Sequence, residues 1–393
     1  MDSIGARVAT ERKLVGLTQT QLAQRAHVSV SLVRSVEQER VPASPAFVAA
    51  VARALGRGTP ELLGQPVGPA TPDDRQVHAI VPALRRELAA YLLPGDEGIE
   101  VRSIGELRRA VHEVSARRQS VDLVALGAEL PGLLAELRAF TTDAHDPREA
   151  YGLLALAYAA AGQVAYKLGY ADLASVTTDR VEWAAARSED PLAVAAADFY
   201  RAGELIGATD WYGALDYLEM ARGRLEDQLD DEAGRAMYGQ LHLKSGLAAA
   251  RAGDAIATDA HLGEAARFAA GVGEFRNDYD LSFNRHSVAI WSVGLAVELM
   301  DGTTAVTRAK GMAIPGGVST ERVGHHHIDL ARGYLLHGDK NGAFESLLTA
   351  RRIAPQQTKY HPQVHETARM LARTERRRND ALANFVTWLG VSV

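Results

Sequence analysis

The chain has 393 residues, of which 47% are hydrophobic and 6% aromatic, and a formal net charge of −6 at pH 7. It is long enough for two or three domains, and Ala, Leu and Val must supply most of its core. It contains no cysteine, which excludes a disulfide framework, an iron–sulfur cluster, a zinc finger and a thiol nucleophile. The acidic balance argues, at face value, against nucleic acid as a partner.

The residue usage favours helices over strands, because strand formers are sparse and helix formers abundant. The N-terminus carries Asp2, Arg7 and Glu11 where a signal peptide needs an apolar run. The longest uncharged apolar run, residues 150–166, is shorter than the roughly 20 residues of a membrane helix. We therefore expect a cytoplasmic protein without a membrane partner.

A Pro- and Gly-rich stretch, GQPVGPATPDD at residues 64–74, divides the chain because it cannot continue a helix. We predict a small domain at residues 1–63, a linker at 64–74 and a large helical domain at 75–393. Residues 1–66 carry eight basic and five acidic side chains, a net charge of +3, which leaves −9 for the remainder. Basic charge concentrated in a small helical domain is what a DNA-binding module requires.

The first 63 residues predict five short helices. Thr18 is a good N-cap for the second helix, up to about Ala26, and Ser29 for the third, up to about Glu37. Gly56 ends a fourth helix, and the Thr-Pro-Glu sequence at 59–61 starts a fifth.

The stretch LTQTQLAQRAHVSVSLVRSVEQERVPAS resembles the helix-turn-helix of Xre/Cro-type, lambda-repressor-like regulators. The family has a Thr-Gln that opens the second helix, a Leu-Ala one turn later, a Val-Ser before the third helix and a Glu near its end. The matching residues are Thr18, Gln19, Leu22, Ala23, Val28, Ser29 and Glu37. The resemblance covers residues 4–63 and implies a transcriptional regulator that binds double-stranded DNA at an operator expected to be palindromic.

Carried over to these positions, the resemblance implies roles for individual side chains. Gln19 contacts a phosphate at the N-terminus of the second helix. The third helix enters the major groove, where Arg34 can form two hydrogen bonds to a guanine, worth about 1–3 kcal/mol of discrimination. Arg12 and Glu37 match a structural pair between the first and third helices. The other predicted DNA contacts are Ser29, Val30, Ser31 and Ser35, with Arg40 and Ser44 in the loop that follows.

One departure from the family pattern follows the third helix. The usual glycine is absent, and Gln38, Glu39 and Arg40 stand in its place. A carboxylate near DNA phosphates weakens binding, so we expect the Glu39 side chain to point away from the DNA.

Residues 75–393 show weak internal similarity. Gly-Asp-like turns occur near residues 169, 209, 253, 301 and 338, between 37 and 48 residues apart. Helix pairs with such a period predict an α-solenoid, here of degenerate tetratricopeptide-like pairs. The predicted fold class of the whole chain is therefore all-α. Before the first pair, Pro131 is expected to kink or split a helix.

An Xre-like domain followed by degenerate helical repeats resembles regulators common in actinobacteria. This resemblance implies a homodimer whose repeat domain binds an effector, a small molecule or a peptide, that changes operator affinity. A solenoid offers a concave groove formed mainly by the first helix of each pair. The predicted ligand-binding residues, chosen as polar or aromatic side chains on those helices, are Tyr158, Tyr200, His242, Asn284 and His286, with Trp291 and His325 as outliers.

Other function classes find less support in the sequence. No lysine-bearing Gly-rich phosphate loop, G-x-S-x-G or H-E-x-x-H motif occurs, so we predict no enzyme and no cofactor. Three consecutive histidines at 325–327 cannot converge on one metal ion, because neighbouring helical residues point about 100° apart. We therefore predict no metal site and expect Asp329 and Arg332 to pair with one of them. A scaffold whose repeats bind a partner protein stays open as the alternative function.

Overall fold

The structure, a computed structural model, describes residues 3–66, 72–93, 100–274, 276–374 and 380–390. These residues are almost entirely helical. Within them the only sheet is a hairpin of two short strands, β1 (Asn277–Asp278) and β2 (Leu281–Ser282). The predicted all-α class is confirmed, with a five-helix N-terminal domain followed by a solenoid-like array of helix pairs.

The N-terminal domain consists of α1 (Ile4–Leu14), α2 (Gln19–Ala26), α3 (Val30–Glu37), α4 (Pro45–Leu55) and α5 (Thr59–Leu63). Serine or threonine hydroxyls cap the first four helices, because each accepts a hydrogen bond from a backbone N–H of the first turn. The helices enclose a core of their own, in which Val8, Leu22 and Val33 are fully buried. Gly5 leaves no room for a side chain against the backbone of Val36, so α1 and α3 cross in direct contact.

Four helices connect this domain to the repeats: α6 (Pro72–His78), α7 (Val81–Ala89), α8 (Ile104–Ser120) and α9 (Leu123–Asp143). Helix α6 begins inside the predicted linker, whose residues 67–71 lie outside the described ranges. Pro131 is expected to kink or split its helix; the split is wrong, because α9 is continuous through Pro131, and the kink stays a prediction. The buried neighbours Leu130 and Leu134 pack into the core, and this packing outweighs the lost backbone hydrogen bond.

Five helix pairs follow. They are α10 (Arg148–Leu168) with α11 (Ala171–Ser188), α12 (Pro191–Gly207) with α13 (Trp211–Gly223), α14 (Glu232–Ala252) with α15 (Ala255–Ala269), α16 (Arg285–Glu298) with α17 (Gly302–Ala309), and α18 (Thr320–His337) with α19 (Lys340–Ile353). A 3₁₀ turn at Glu226–Gln228 precedes α14. The chain ends in α20 (Pro355–Tyr360), α21 (Pro362–Thr374) and α22 (Asp380–Leu389).

The Gly-Asp turns have a simple physical basis in α14–α15. Gly253 ends α14 in the left-handed conformation, with φ 81°, which a residue without Cβ adopts at no steric cost. Asp254 then caps α15 by accepting a hydrogen bond from the N–H of Ala257 at 2.9 Å. Gly338 and Asp339 repeat the arrangement between α18 and α19.

The first helices of the repeat domain contact the last ones. Asp74 of α6 accepts a hydrogen bond from the hydroxyl of Tyr360 and pairs with the ammonium of Lys359, both at 2.7 Å. The backbone N–H of Leu123 donates to Gln356 at 2.9 Å. These contacts join the two ends of the array, so that the repeats form a closed ring of contacts.

The N-terminal domain sits against this closed array through its first and fourth helices. Glu366 of α21 is buried beside the backbone N–H groups of Ile4 and Ala43. Gln65 packs directly on Gly169 at the end of α10, which leaves no room for a side chain there. The two domains are therefore in contact over several elements.

The turn geometry predicts opposite effects for two exposed glycines on neighbouring elements. Gly253→Ala should lower the free energy of unfolding by about 1–2 kcal/mol, because a Cβ strains the left-handed conformation while meeting no other atom. Gly263→Ala, in the interior of α15 and equally unobstructed, should raise it by roughly 0.5–1 kcal/mol. Chemical denaturation measures both. Equal effects of the two substitutions would contradict the role of the turn.

The buried carboxyl group of Glu366 should make the thermal stability of the protein depend on pH. Burial raises its pKa above that of a free carboxyl group, although Arg369 and the N–H of Ala43 act in the opposite direction. Because the pKa of Glu366 is higher in the folded than in the unfolded state, protonation of this carboxyl group favours folding. That contribution is fully present below the pKa of the unfolded state and is lost as the pH rises through the pKa of the folded state. Glu366→Gln, which cannot ionise, should therefore raise the Tm at neutral pH and lose this advantage toward about pH 4. Calorimetry across pH measures the effect, with exposed Glu345→Gln as the control; an unchanged Tm at neutral pH would contradict the raised pKa.

Candidate DNA-binding surface and effector cavity

The outer face of α2 and α3 is free of the repeat domain. Arg25, Ser31, Arg34 and Gln38 are all exposed in the whole chain. Val33 and Val36, on the opposite side of α3, are buried in the domain core. The amphipathic pattern of α3 thus leaves one polar surface that carries a single long cation, Arg34, at its centre.

The predicted pair between α1 and α3 is confirmed. Arg12 donates two hydrogen bonds to Glu37, at 2.6 and 2.8 Å, and the two side chains are 11% and 5% exposed. Gln19 donates a third at 2.9 Å. Burial acts to raise the pKa of Glu37, but the hydrogen bonds from Arg12 and Gln19 outweigh it, and the pKa is lowered. The carboxylate therefore ties three helices together and fixes the position of α3.

The remaining predicted DNA contacts lie around the same face. The Gln19 side chain, predicted to contact a phosphate, donates a hydrogen bond to Glu37. It lies at the N-terminus of α2, where the helix dipole favours anions, and its phosphate contact stays a prediction. Ser29 and Ser44 cap α3 and α4 by accepting from the N–H groups of Leu32 and Phe47, both at 3.1 Å. The other predicted contacts are exposed, as Arg40 is, or half-buried, as Val30 and Ser35 are.

Glu39 stands in the left-handed conformation, with φ 56°, at the position after the third helix where the resemblance predicts a glycine. Its carboxylate accepts a hydrogen bond from the hydroxyl of Ser3 and pairs with Arg373 of α21. The side chain thus points toward the repeat domain, as expected from the repulsion that DNA phosphates would impose.

Two connected cavities lie on the concave face of the repeats. The first, of about 310 Å³, is enclosed by α8, α10, α11, α12, α14, α16 and α18 and by the β1–β2 hairpin. The second, of about 730 Å³, extends from it to α4 and α5 of the N-terminal domain, where Ala49, Ala52 and Arg53 line it. Tyr166, Trp291 and Arg322 line both cavities. An occupant of this space would therefore touch both domains.

Ion pairs balance most of the charge around the cavities. Arg118 pairs with Asp280 of the hairpin at 3.1 Å, and Arg251 pairs with Glu298 at 3.0 Å. Lys167 pairs with Glu321 at 2.9 Å. Asp329 lies 3.6 Å from His325 and 3.2 Å from Arg332, which is the predicted arrangement around the three histidines.

Some of the ligand-binding residues predicted from the sequence line the cavities, and others do not. Tyr200 lines the smaller cavity, with its hydroxyl 3.5 Å from Arg118, and the outliers Trp291 and His325 line both cavities. The other four do not line the cavities, for physical reasons that differ between them.

Tyr158 lies in the hydrophobic core, and burial raises its pKa to about 12. His242 is buried against His261, with the two Nδ1 atoms 3.0 Å apart, and burial lowers its pKa to about 3. Asn284 is the N-cap of α16 and accepts from the N–H of Ser287 at 2.9 Å. His286 lies in the first turn of the same helix, 3.9 Å from Glu274.

Sequence reasoning missed the most chemically distinctive residue of the cavity. Lys244 is the one lysine of the small-residue helix α14, and its ammonium lies 4.2 Å from the centre of the Phe199 ring. Burial lowers its pKa to about 7. The interruption of an Ala- and Gly-rich helix by one lysine was the signal that could have identified it.

Comparisons with known proteins identify the N-terminal domain. Residues 3–63 match a family model described as "Helix-turn-helix domain", and the match spans α1 to α5. None of the curated proteins compared matches the chain. Among solved structures, BtubC (BKLC) from P. vanneervenii aligns at 16% identity with a TM-score of 0.38, covering 70% of this chain and 96% of that one. A TM-score of 0.38 is too low for a conclusion about the fold or function of this chain.

Two further searches concern the described residues alone. No helix among them is long and apolar enough to cross a membrane. They also contain no group of three or more His, Asp or Glu side chains positioned to hold a metal ion.

The buried carboxylate of Glu37 should contribute measurably to the stability of the helix-turn-helix domain. Glu37→Gln should lower the free energy of unfolding by about 3 kcal/mol, because Arg12 is left buried without its anion. Because the pKa of Glu37 is lower in the folded state, its ionised form stabilises the fold. This stabilisation is fully present above the pKa of the unfolded state and is lost as the pH falls through the pKa of the folded state. Denaturation of wild type and variant from neutral to acid pH measures this difference. The exposed pair of Arg57 and Glu11 offers the control Glu11→Gln, which should cost under about 1 kcal/mol; equal losses would contradict the assignment.

Proposed function

We propose that the chain is a sequence-specific transcriptional regulator whose repeat domain dimerises and binds an effector that changes operator affinity. The observation that carries the DNA-binding part is the exposed outer face of α3 within a helix-turn-helix domain at residues 3–63. In this arrangement α3 enters the major groove, and Arg34 donates two hydrogen bonds to a guanine.

The effector part is supported by the position of the larger cavity. Its wall is formed by α4 and α5 on one side and by the repeats on the other, so a bound molecule contacts both domains. A ligand shifts a conformational equilibrium only by its differential affinity for the two states. A ligand that contacts both domains has such a differential affinity, because its contacts change when one domain moves relative to the other.

Dimerisation is supported by the geometry of DNA. One helix-turn-helix makes few base contacts, and such domains bind half-sites one helical turn apart as dimers. The repeat domain is the part of the chain available to hold two of them at that spacing.

The DNA-binding proposal is tested by fluorescence anisotropy with duplexes from the region upstream of the gene that encodes the chain. Wild type should bind one of them more tightly than random duplex at about 100 mM salt. Arg34→Ala should reduce that discrimination by about 1–3 kcal/mol. The control Arg267→Ala removes one exposed positive charge from α15 and should leave the discrimination unchanged.

Wild-type affinity that is equal for all duplexes would contradict the proposal. A partner protein that co-purifies in stable complex, with no preference for any duplex, would favour the scaffold alternative instead. Native mass spectrometry tests the dimer separately, and a clean monomer at micromolar concentration would contradict it.

A further inference from the structure

Among the described residues, no carboxylate lies within ion-pair distance of two cations of the smaller cavity, although the charge of Glu204 acts on Lys244 and Glu321 and Arg322 interact electrostatically. Within the described part of the chain, neither Lys244 nor Arg322 forms a hydrogen bond or an ion pair with a carboxylate. By contrast, Arg118 and Arg251 in the same lining are paired with Asp280 and Glu298. A cation in a partly buried site without a close counter-ion is costly, and the lowered pKa of Lys244 reflects that cost. An anion that enters the cavity from outside the chain would offset it.

Each of these two cations lies over an aromatic ring of the cavity wall. The ammonium of Lys244 is 4.2 Å from the ring centre of Phe199, and the guanidinium of Arg322 is 5.6 Å from that of Trp291. Tyr166 and Tyr200 extend the aromatic surface. The wall therefore combines flat apolar surfaces with positive charge at their edge, which complements a molecule with an apolar body and an anionic group.

The carboxylates of the lining have partners of their own. Glu204 accepts hydrogen bonds from the hydroxyls of Ser175 and Thr178. Glu321 accepts from Lys167 at 2.9 Å. A hydroxyl donor does not neutralise a carboxylate, so within the described lining the two cations Lys244 and Arg322 stand against Glu204 alone, and the remaining balance of charge that faces the cavity is positive.

The volume favours a small molecule. At about 310 Å³ the cavity is at the lower end of the range for ligand sites, too small for more than a compact ligand. Its continuity with the larger cavity leaves a path to the N-terminal domain.

We propose that the smaller cavity binds a small organic anion, a carboxylate or phosphate on a flat apolar body, with Lys244 and Arg322 as the anion-binding pair and Phe199 and Trp291 as the apolar wall. This proposal rests on the proposed function, because it names the chemical class of the effector.

The charges around Lys244 add a pH dependence. Burial lowers its pKa to about 7, and the charges of Arg251 on the same helix and Arg322 on α18 act in the same direction, whereas Glu204 on α12 opposes them. A bound anion stabilises the ammonium form and raises this pKa. The affinity for an anion should therefore be constant below pH 7 and fall as the pH rises above it.

The test is isothermal titration calorimetry of the full chain, without DNA, with 2-naphthoate and its neutral isostere 2-naphthamide. We expect 2-naphthoate to bind at least about tenfold more tightly. Lys244→Met and Arg322→Gln should each weaken 2-naphthoate about tenfold and change 2-naphthamide less than about twofold. The wild-type affinity for 2-naphthoate should decline above neutral pH, and Lys244→Met should remove that decline.

The matched control is Arg351→Gln. Arg351 also lies over a tryptophan, 4.3 Å from the ring centre of Trp388, but it does not line either cavity. The substitution should leave binding of 2-naphthoate unchanged. The wild-type pH profile needs no variant, so it decides the case even if a substitution prevents folding.

Equal affinity for the two probes, an affinity independent of pH, or no binding of 2-naphthoate at millimolar concentration would overturn the proposal. Failure of the anion-site proposal can be distinguished from failure of the proposed function. A chain that discriminates between duplexes but binds neither probe would contradict the anion site alone, and a chain that binds 2-naphthoate but no DNA would contradict the regulator alone.

Discussion

The contact between the two ends of the repeat domain is the constraint on which the rest of the structure depends. Asp74, 2% exposed, holds Tyr360 and Lys359 across nearly 300 residues of chain, at 2.7 Å each. A buried, hydrogen-bonded ion pair contributes little net stability but fixes one geometry, because any other arrangement strands its charge. Without this closure the concave face would be an open trough. With it, the repeat helices surround a pair of partly open cavities, and α4 and α5 of the helix-turn-helix domain line the larger one.

The helix-turn-helix domain uses two separate surfaces. One is the outer face of α3, with Arg34 exposed. The other, formed by α4 and α5, covers the larger cavity. The two surfaces share one core, in which Val33 and Val36 of α3 lie with Val48 and Val51 of α4. The pair of Arg12 and Glu37 further joins α3 to α1. In the proposed function, this shared core couples occupancy of the cavity to the orientation of α3.

Local features were predictable from sequence and long-range ones were not. The caps at Thr18 and Ser29 and the Gly-Asp turns depend on residues within a few positions, and the structure has them where predicted. Which side of a repeat helix faces the cavity depends on the curvature of the whole array. Polar character alone therefore selected Tyr158 and His242, which face the packed interior, and passed over Lys244, whose neighbours come from α12 and α18. Nor does any local pattern connect Asp74 with Tyr360.

The closure of the array also bears on how such a chain can evolve. Open solenoids gain and lose repeats easily, since each repeat contacts only its neighbours and terminal units shield the ends. Here the ends shield each other: Leu123 bonds Gln356, and Lys167 reaches Gln357 as well as Glu321. Duplication or deletion of one helix pair would separate these partners. The contacts between the ends therefore constrain the number of repeats, which in an open solenoid is free to change.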